Sequence, residues 1–118
     1  MDRFEFIFDV QNHLISMDEA VTFATRPGRN GTHFRSKVGD YSFRVDRVGR
    51  KANEDGKFRL QIMAKTGLDL DGKLEFAVES AAIPGVVVKS GKIRFFADNP
   101  MAMARVFVEV ASIVDSIQ

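Results

Sequence analysis

The amino-acid sequence predicts an α+β domain built on an antiparallel β-meander of about five to six strands, with a short N-terminal helix and a long C-terminal helix packed on one face. Two observations support this prediction. Turn-forming residue pairs recur between segments in which apolar and polar residues alternate, and the C-terminal segment is apolar over most of a helical circumference. The length of 118 residues suits a single domain, which we place over residues 1–118.

The N-terminal segment predicts a strand followed by a short helix. Aromatic residues alternate with other residues over positions 4–11, a period that is typical of a strand. Ser16 and Glu19 have the spacing of a capping box, so we expect a short helix to begin at Ser16 and to end at residues 26–28, where proline and glycine follow an arginine. One long helix from Asp2 to Thr25 is the competing interpretation, and we favour the strand.

The middle of the chain predicts a series of hairpins. Pairs such as Asn30-Gly31, Asp55-Gly56 and Asp71-Gly72 supply the positive φ that tight hairpin turns require. The connections are short, which favours antiparallel neighbours. The predicted strands cover about residues 32–38, 41–48, 57–65, 73–79 and 92–97, with residues 85–89 as a candidate for a short additional strand.

The alternation divides the predicted sheet into a core face and a face turned to solvent. The expected core face holds Phe34, Val38, Tyr41, Phe43, Val45, Phe58, Leu60, Ile62, Leu74, Phe76, Val78, Ile93 and Phe95. The expected solvent face holds Arg35, Lys37, Arg44, Asp46, Arg59, Gln61, Glu75, Glu79, Lys92 and Arg94.

A long helix is predicted from Asn99 to about Ser116, because asparagine is a favoured N-cap and proline is favoured at the first helical position. Its apolar arc spans about 200°, which is wider than a helix on a sheet needs. We therefore expect a second apolar stripe to mediate association with another copy or with a protein partner. The alternative is that the N-terminal segment or a strongly coiled sheet covers this stripe within the monomer. The expected interface residues are Met103, Phe107, Ala111 and Val114.

Charge is concentrated in the middle third, where residues 26–59 carry ten bases and four acids. Several of these bases lie on two neighbouring predicted strands and the loop between them, and others flank the glycines of the preceding loop, where backbone N–H groups can approach a phosphate. A solvated face is the alternative, because the nearby aromatic residues have core parity. The expected anion- or nucleic-acid-binding residues are Arg29, Arg35, Arg44, Arg47, Arg50, Lys51, Lys57 and Arg59.

Catalytic and metal-binding motifs are not evident in the sequence. It has no nucleophile elbow, zinc-protease motif or phosphate-binding loop, and no cysteine. His13 and His33 have no carboxylate partner at metal-ligand spacing, and the segment from Asp69 to Gly72 departs from a calcium loop. We therefore expect no catalytic residue, metal or cofactor. Acidic residues at positions 2, 5 and 9 interrupt any signal-peptide core, and no segment has the length of a membrane span, so we expect a cytoplasmic protein.

The motifs identify no family. The predicted order of a strand meander followed by one helix, over about residues 32–118, resembles the unit of Whirly and Pur-type single-stranded-DNA-binding domains, which pair through that helix. The compact, motif-poor chain also resembles small phage or plasmid accessory proteins.

Three functional hypotheses remain open. The first is a non-enzymatic interaction protein that forms a homodimer or docks a protein partner through its C-terminal helix, while its basic surface faces an anionic partner; a phage- or plasmid-type accessory or inhibitor protein would fit this description. The second is a single-stranded nucleic-acid-binding module. The third is a small enzyme with an unfamiliar site.

Overall fold

The computed structural model describes residues 3–17, 22–28, 31–38, 41–47, 58–64, 72–89 and 92–117, with backbone alone at residues 3, 4, 22–28, 31–38, 46, 47 and 64. Three helices lie within these residues: α1 (Arg3–Ser16), α2 (Lys73–Ala81) and α3 (Pro100–Ile117). The described strands are β1 (Thr22–Gly28), β2 (Gly31–Val38), β3 (Tyr41–Arg47), β4 (Phe58–Ala64), β5 (Val87–Lys89) and β6 (Lys92–Ala97).

The described strands form one sheet in the order β1-β2-β3-β4-β6-β5, and every neighbouring pair is antiparallel. The α+β class and the antiparallel sheet are therefore confirmed. The continuous meander is wrong, because α2 interrupts the chain between β4 and β5 and because β6, rather than β5, pairs with β4. β5 and β6 form a hairpin that leaves the three-residue β5 at the edge of the described sheet.

One face of the sheet packs against the helices. Phe43 of β3 contacts Phe107 of α3 with ring centroids 4.5 Å apart, and Phe58 of β4 stacks on Phe6 of α1 with centroids 3.8 Å apart. These contacts place α1 and α3 over the same side of the sheet, and Leu74 and Val78 of α2 join the same hydrophobic cluster. The predicted core positions in β3, β4 and the start of β6 are confirmed, since all are buried: Tyr41, Phe43, Val45, Phe58, Leu60, Ile62 and Ile93.

The N-terminal segment is a helix where the sequence favoured a strand. Phe6, Val10 and Leu14 are fully buried at helical spacings of four residues, whereas Phe8 is 63% exposed. The alternation of aromatic residues was therefore incidental, because burial follows the helical period of 3.6 and not the strand period of two. The competing interpretation, a helix from Asp2, agrees with this start but not with the helix's end at Ser16.

The predicted helix start at Ser16 is also wrong. The hydroxyl of Ser16 donates to the carbonyl of His13 at 2.8 Å, and the backbone N–H of Met17 donates to the same carbonyl at 3.0 Å. Ser16 thus closes the last turn of α1 instead of capping the first turn of another helix. Residues 22–28, which were expected to complete a helix, pair with β2 along their whole length; their proline is tolerated because β1 lies at the edge of the described sheet.

The predicted strand over residues 73–79 is helix α2. Leu74 and Val78 are buried four residues apart, while Phe76, which was expected in the core, is 74% exposed. The sequence of this segment satisfies both periods, since Leu74, Phe76 and Val78 alternate and Leu74 and Val78 also share a helical face. Only the helical pair packs against the core, because α2 lies against α3 and β5.

The C-terminal helix begins as the sequence predicts. The side-chain oxygen of Asn99 accepts hydrogen bonds from the backbone N–H groups of Met101 at 2.9 Å and Ala102 at 3.1 Å, and Pro100 is the first helical residue. These bonds satisfy N–H groups that would otherwise have no partner within the helix.

Candidate anion-binding face

The side of the sheet opposite the helices carries the alternate strand positions, and we call it the open face. Register defines its membership, because residues paired directly across an antiparallel sheet lie on the same side. The side chains described on the open face are Ser42, Arg44, Arg59, Gln61, Met63, Val87, Lys89, Lys92, Arg94 and Phe96.

A row of arginines crosses this face at right angles to the strands. Arg35 of β2 pairs with Arg44 of β3, Arg44 pairs with Gln61 of β4, and Gln61 pairs with Arg94 of β6. We call these four residues the arginine row. Neighbouring strands lie about 4.8 Å apart, so the row brings three arginine positions from distant parts of the chain within about 15 Å.

Gln61 anchors the row. It is 8% exposed, its Oε1 accepts a hydrogen bond from Nε of Arg94 at 3.0 Å, and its Nε2 donates to the sulfur of Met63 at 3.3 Å. Because this bond uses only the Nε–H of Arg94, the N–H groups of its two terminal nitrogens can donate to a further acceptor. A neutral, buried amide therefore fixes one of the guanidinium groups in place without neutralising it.

The electrostatics of the face favour an anion. Of the ten side chains that the structure describes on the open face, five are cationic and none is acidic. Backbone register alone adds Asp46, which pairs with Arg59, and the basic residues Arg35 and Lys37 of β2, so cationic positions still outnumber acidic ones on this face. Arg44 lies beside Gln61 on the side opposite Arg94; it is half-buried, with its Nε atom buried. Like charges on one sheet face disfavour each other, and a bound anion offsets that repulsion.

The predicted anion-binding residues fall into three groups. Arg35, Arg44 and Arg59 occupy open-face positions, the first by backbone register alone. Arg47 pairs in register with Phe58, which places it in a row with core positions and not beside Arg44. The remaining residues lie outside the part of the chain that the structure describes: Arg29, Arg50, Lys51 and Lys57.

Sequence reasoning did not include β6 and β5 in the site. Arg94 belongs to the arginine row, Lys92 and Lys89 pair with each other on the same face, and Phe96 pairs with Arg59. Alternation along β6 was the available signal. Because Ile93 faces the core, its neighbours Lys92 and Arg94 must face the opposite side of the sheet. The site was confined to residues 26–59 by the charge asymmetry along the chain, which does not show that β6 lies beside β4.

The expected interface on the C-terminal helix lies inside the molecule. Met103, Phe107, Ala111 and Val114 are each at most 2% exposed. They are covered because α1 packs along α3 on the helical side of the sheet, so that both apolar stripes of α3 have neighbours within one chain. The correction is that these four side chains form core and not a docking surface.

No protein-family model, curated protein or solved structure matches this chain. The architectural resemblance to Whirly and Pur-type units therefore has no structural match behind it, and the geometry of the open face has to carry the functional argument. Neither α1, α2 nor α3 combines the length and apolarity that crossing a membrane demands. Within the described residues, no three metal-binding side chains cluster; Asp69 and Asp71 lie outside them.

Proposed function

We propose that this chain is a non-enzymatic binding protein whose open face holds the phosphate backbone of a nucleic acid. The observation that carries the proposal is the arginine row, in which Gln61 holds Arg94 by a 3.0 Å hydrogen bond while Arg44 lies on its other side. Arginine is well suited to this role, because its planar group donates two parallel hydrogen bonds to phosphate oxygens and stays charged at any physiological pH.

The extent of the face supports a polymer in preference to a single small anion. Arg44 and Arg94 are separated by one intervening strand, and the exposed Lys89 and Lys92 continue the positive surface to the β5 edge. An extended cationic surface tracks a chain of phosphates, since each phosphate contact adds to affinity through release of bound counterions. Association through α3, the leading expectation from the sequence, has lost the apolar surface on which it depended.

The test is a double substitution in the row, Arg44→Gln with Arg94→Gln. Glutamine removes each charge while keeping a long polar side chain, so the fold is expected to persist. The matched control is Lys73→Gln with Arg105→Gln, which removes the same charge from two exposed helical positions. Binding of a fluorescent single-stranded oligonucleotide is measured by anisotropy across a salt series, with circular dichroism to verify folding.

Loss of two phosphate contacts lowers the slope of log affinity against log salt by about 1.4 for a single strand. It also weakens binding at low salt by about a hundredfold or more, since two contacts are lost and hydrogen bonds to charged groups contribute about 1.5 kcal/mol or more each. The control is expected to keep the wild-type slope. Three results would each contradict the proposal. The first is an equal loss of oligonucleotide affinity in the row variant and the control, and the second is no binding by the wild type. The third is that polyglutamate, a polyanion without phosphates, binds as tightly as the oligonucleotide.

A further inference from the structure

Phe96 is an aromatic side chain that the fold leaves on the cationic side of the sheet. It is 42% exposed, it pairs in register with Arg59, and it lies two positions from Arg94 on the same strand. Its neighbour Phe95 packs against the core cluster, so the two adjacent rings are divided between the two faces. Val87, which pairs with Arg94 and is 51% exposed, extends the apolar surface at the β5 edge.

The surroundings distinguish Phe96 from the other exposed phenylalanines in the described part of the chain. Phe8 and Phe76 are 63% and 74% exposed, and both lie on helices in the layer across the sheet from the arginine row. Phe96 instead has arginines beside it both along its strand and across to β4. Single exposed apolar residues are common and need no partner, but a ring between two arginines on a cationic face presents a π surface next to phosphate donors.

We propose that Phe96 is a stacking position for a nucleobase, so that the open face selects single-stranded over duplex nucleic acid. The inference rests on the proposed function, since it assigns the base of a nucleotide whose phosphates the arginine row binds. A strand whose bases are unpaired can place one base on the ring while Arg59 and Arg94 contact its backbone. A duplex keeps its bases stacked inside the helix, so it offers the face phosphates without the π surface.

The test compares three ligands of equal length: oligothymidylate, the same strand with abasic sites, and a duplex. The variants are Phe96→Leu, which removes the ring but keeps an apolar side chain, and Phe96→Tyr, which keeps a ring. Phe76→Leu is the matched control, because it makes the same substitution at a ring on α2 that is even more exposed than that of Phe96. Affinities and salt slopes are measured by fluorescence anisotropy for every combination of protein variant and ligand.

Phe96→Leu is expected to weaken oligothymidylate binding about tenfold, the size of one lost stacking contact. For the abasic strand and the duplex, Phe96→Leu is expected to keep the wild-type affinity and salt slope. Phe76→Leu is expected to match wild type on every ligand. Phe96→Tyr, which keeps a ring, is expected to bind oligothymidylate as tightly as wild type. Equal loss on the base-bearing and abasic strands, or no loss on oligothymidylate, would overturn the stacking position. If the wild type binds none of the ligands, both the proposed function and the stacking position are wrong. If the arginine-row variant loses affinity and Phe96→Leu does not, only the stacking position is wrong.

Discussion

Replacing Phe107 with alanine tests whether the C-terminal helix is core. The side chain is fully buried and its ring lies 4.5 Å from that of Phe43. Truncating a buried phenylalanine costs about 3–5 kcal/mol, and an aromatic pair contributes about 0.5–1.5 kcal/mol beyond its buried area, so we expect a loss of about 4 kcal/mol in the free energy of unfolding. The total free energy of unfolding of a natural domain is about 5–15 kcal/mol, so Phe107→Ala will leave a marginally stable fold.

Urea unfolding followed by far-ultraviolet circular dichroism measures this loss; the chain contains no tryptophan and one tyrosine, so fluorescence is a poor probe. For a slope of about 2 kcal/mol per molar urea, the midpoint falls by about 2 M with the slope unchanged. Phe8→Ala is the control, because Phe8 is 63% exposed and its loss should change stability by no more than about 0.5 kcal/mol. A cost below about 1 kcal/mol for Phe107→Ala, together with a loss of self-association, would refute the core assignment and restore α3 as an interface.

Four further substitutions test local features of the fold by the same unfolding measurement. Asn99→Ala removes the acceptor of two backbone N–H groups and should cost about 1 kcal/mol; a change near zero would mean that α3 does not depend on this cap. Ser16→Ala should change stability by less than about 0.5 kcal/mol, because the exposed hydroxyl closes the end of α1, and a cost above about 1 kcal/mol would point back to an N-cap. Gly72→Ala and Gly85→Ala both force alanine into positive φ, at about 1–2 kcal/mol each. Gly85→Ala should cost more, because its Cβ would lie 3.1 Å from the Phe95 ring, whereas no atom of the described residues lies within 4 Å of a Cβ at Gly72; equal costs would contradict that contact.

Local signals predicted the parts of the fold that depend on neighbouring residues. The Asn99-Pro100 pair identified the start of α3 because the cap is formed within one helical turn. Strands β2, β3, β4 and β6 were predicted within a few residues, since turn pairs and alternation are properties of adjacent positions.

The two short helices were missed because their segments satisfy two periods at once. Phe6 and Phe8 alternate like a strand, yet the buried partner of Phe6 within α1 is Val10. Leu74 has the same ambiguity with respect to Phe76 and Val78. Packing against α3 decides whether the residues at strand spacing or those at helical spacing become buried. A local segment such as the nine residues of α2 does not contain that information.

The candidate site could be predicted only in part, because strand order is a non-local property. Parity placed Arg44, Gln61 and Arg94 on one face, but nothing near Arg94 in the sequence shows that β6 lies directly beside β4. The pairing of Phe96 with Arg59, on which the stacking position depends, follows from the same neighbour relationship.

The most direct test of the open face as the binding surface is a map of backbone amide shifts in the nuclear magnetic resonance spectrum during titration with oligothymidylate. We expect the largest changes to centre on the row and its flank, at Arg44, Gln61, Arg94 and Phe96, with little change along the outer side of α1. Changes concentrated on α1 or α2, with β3, β4 and β6 unaffected, would contradict the account.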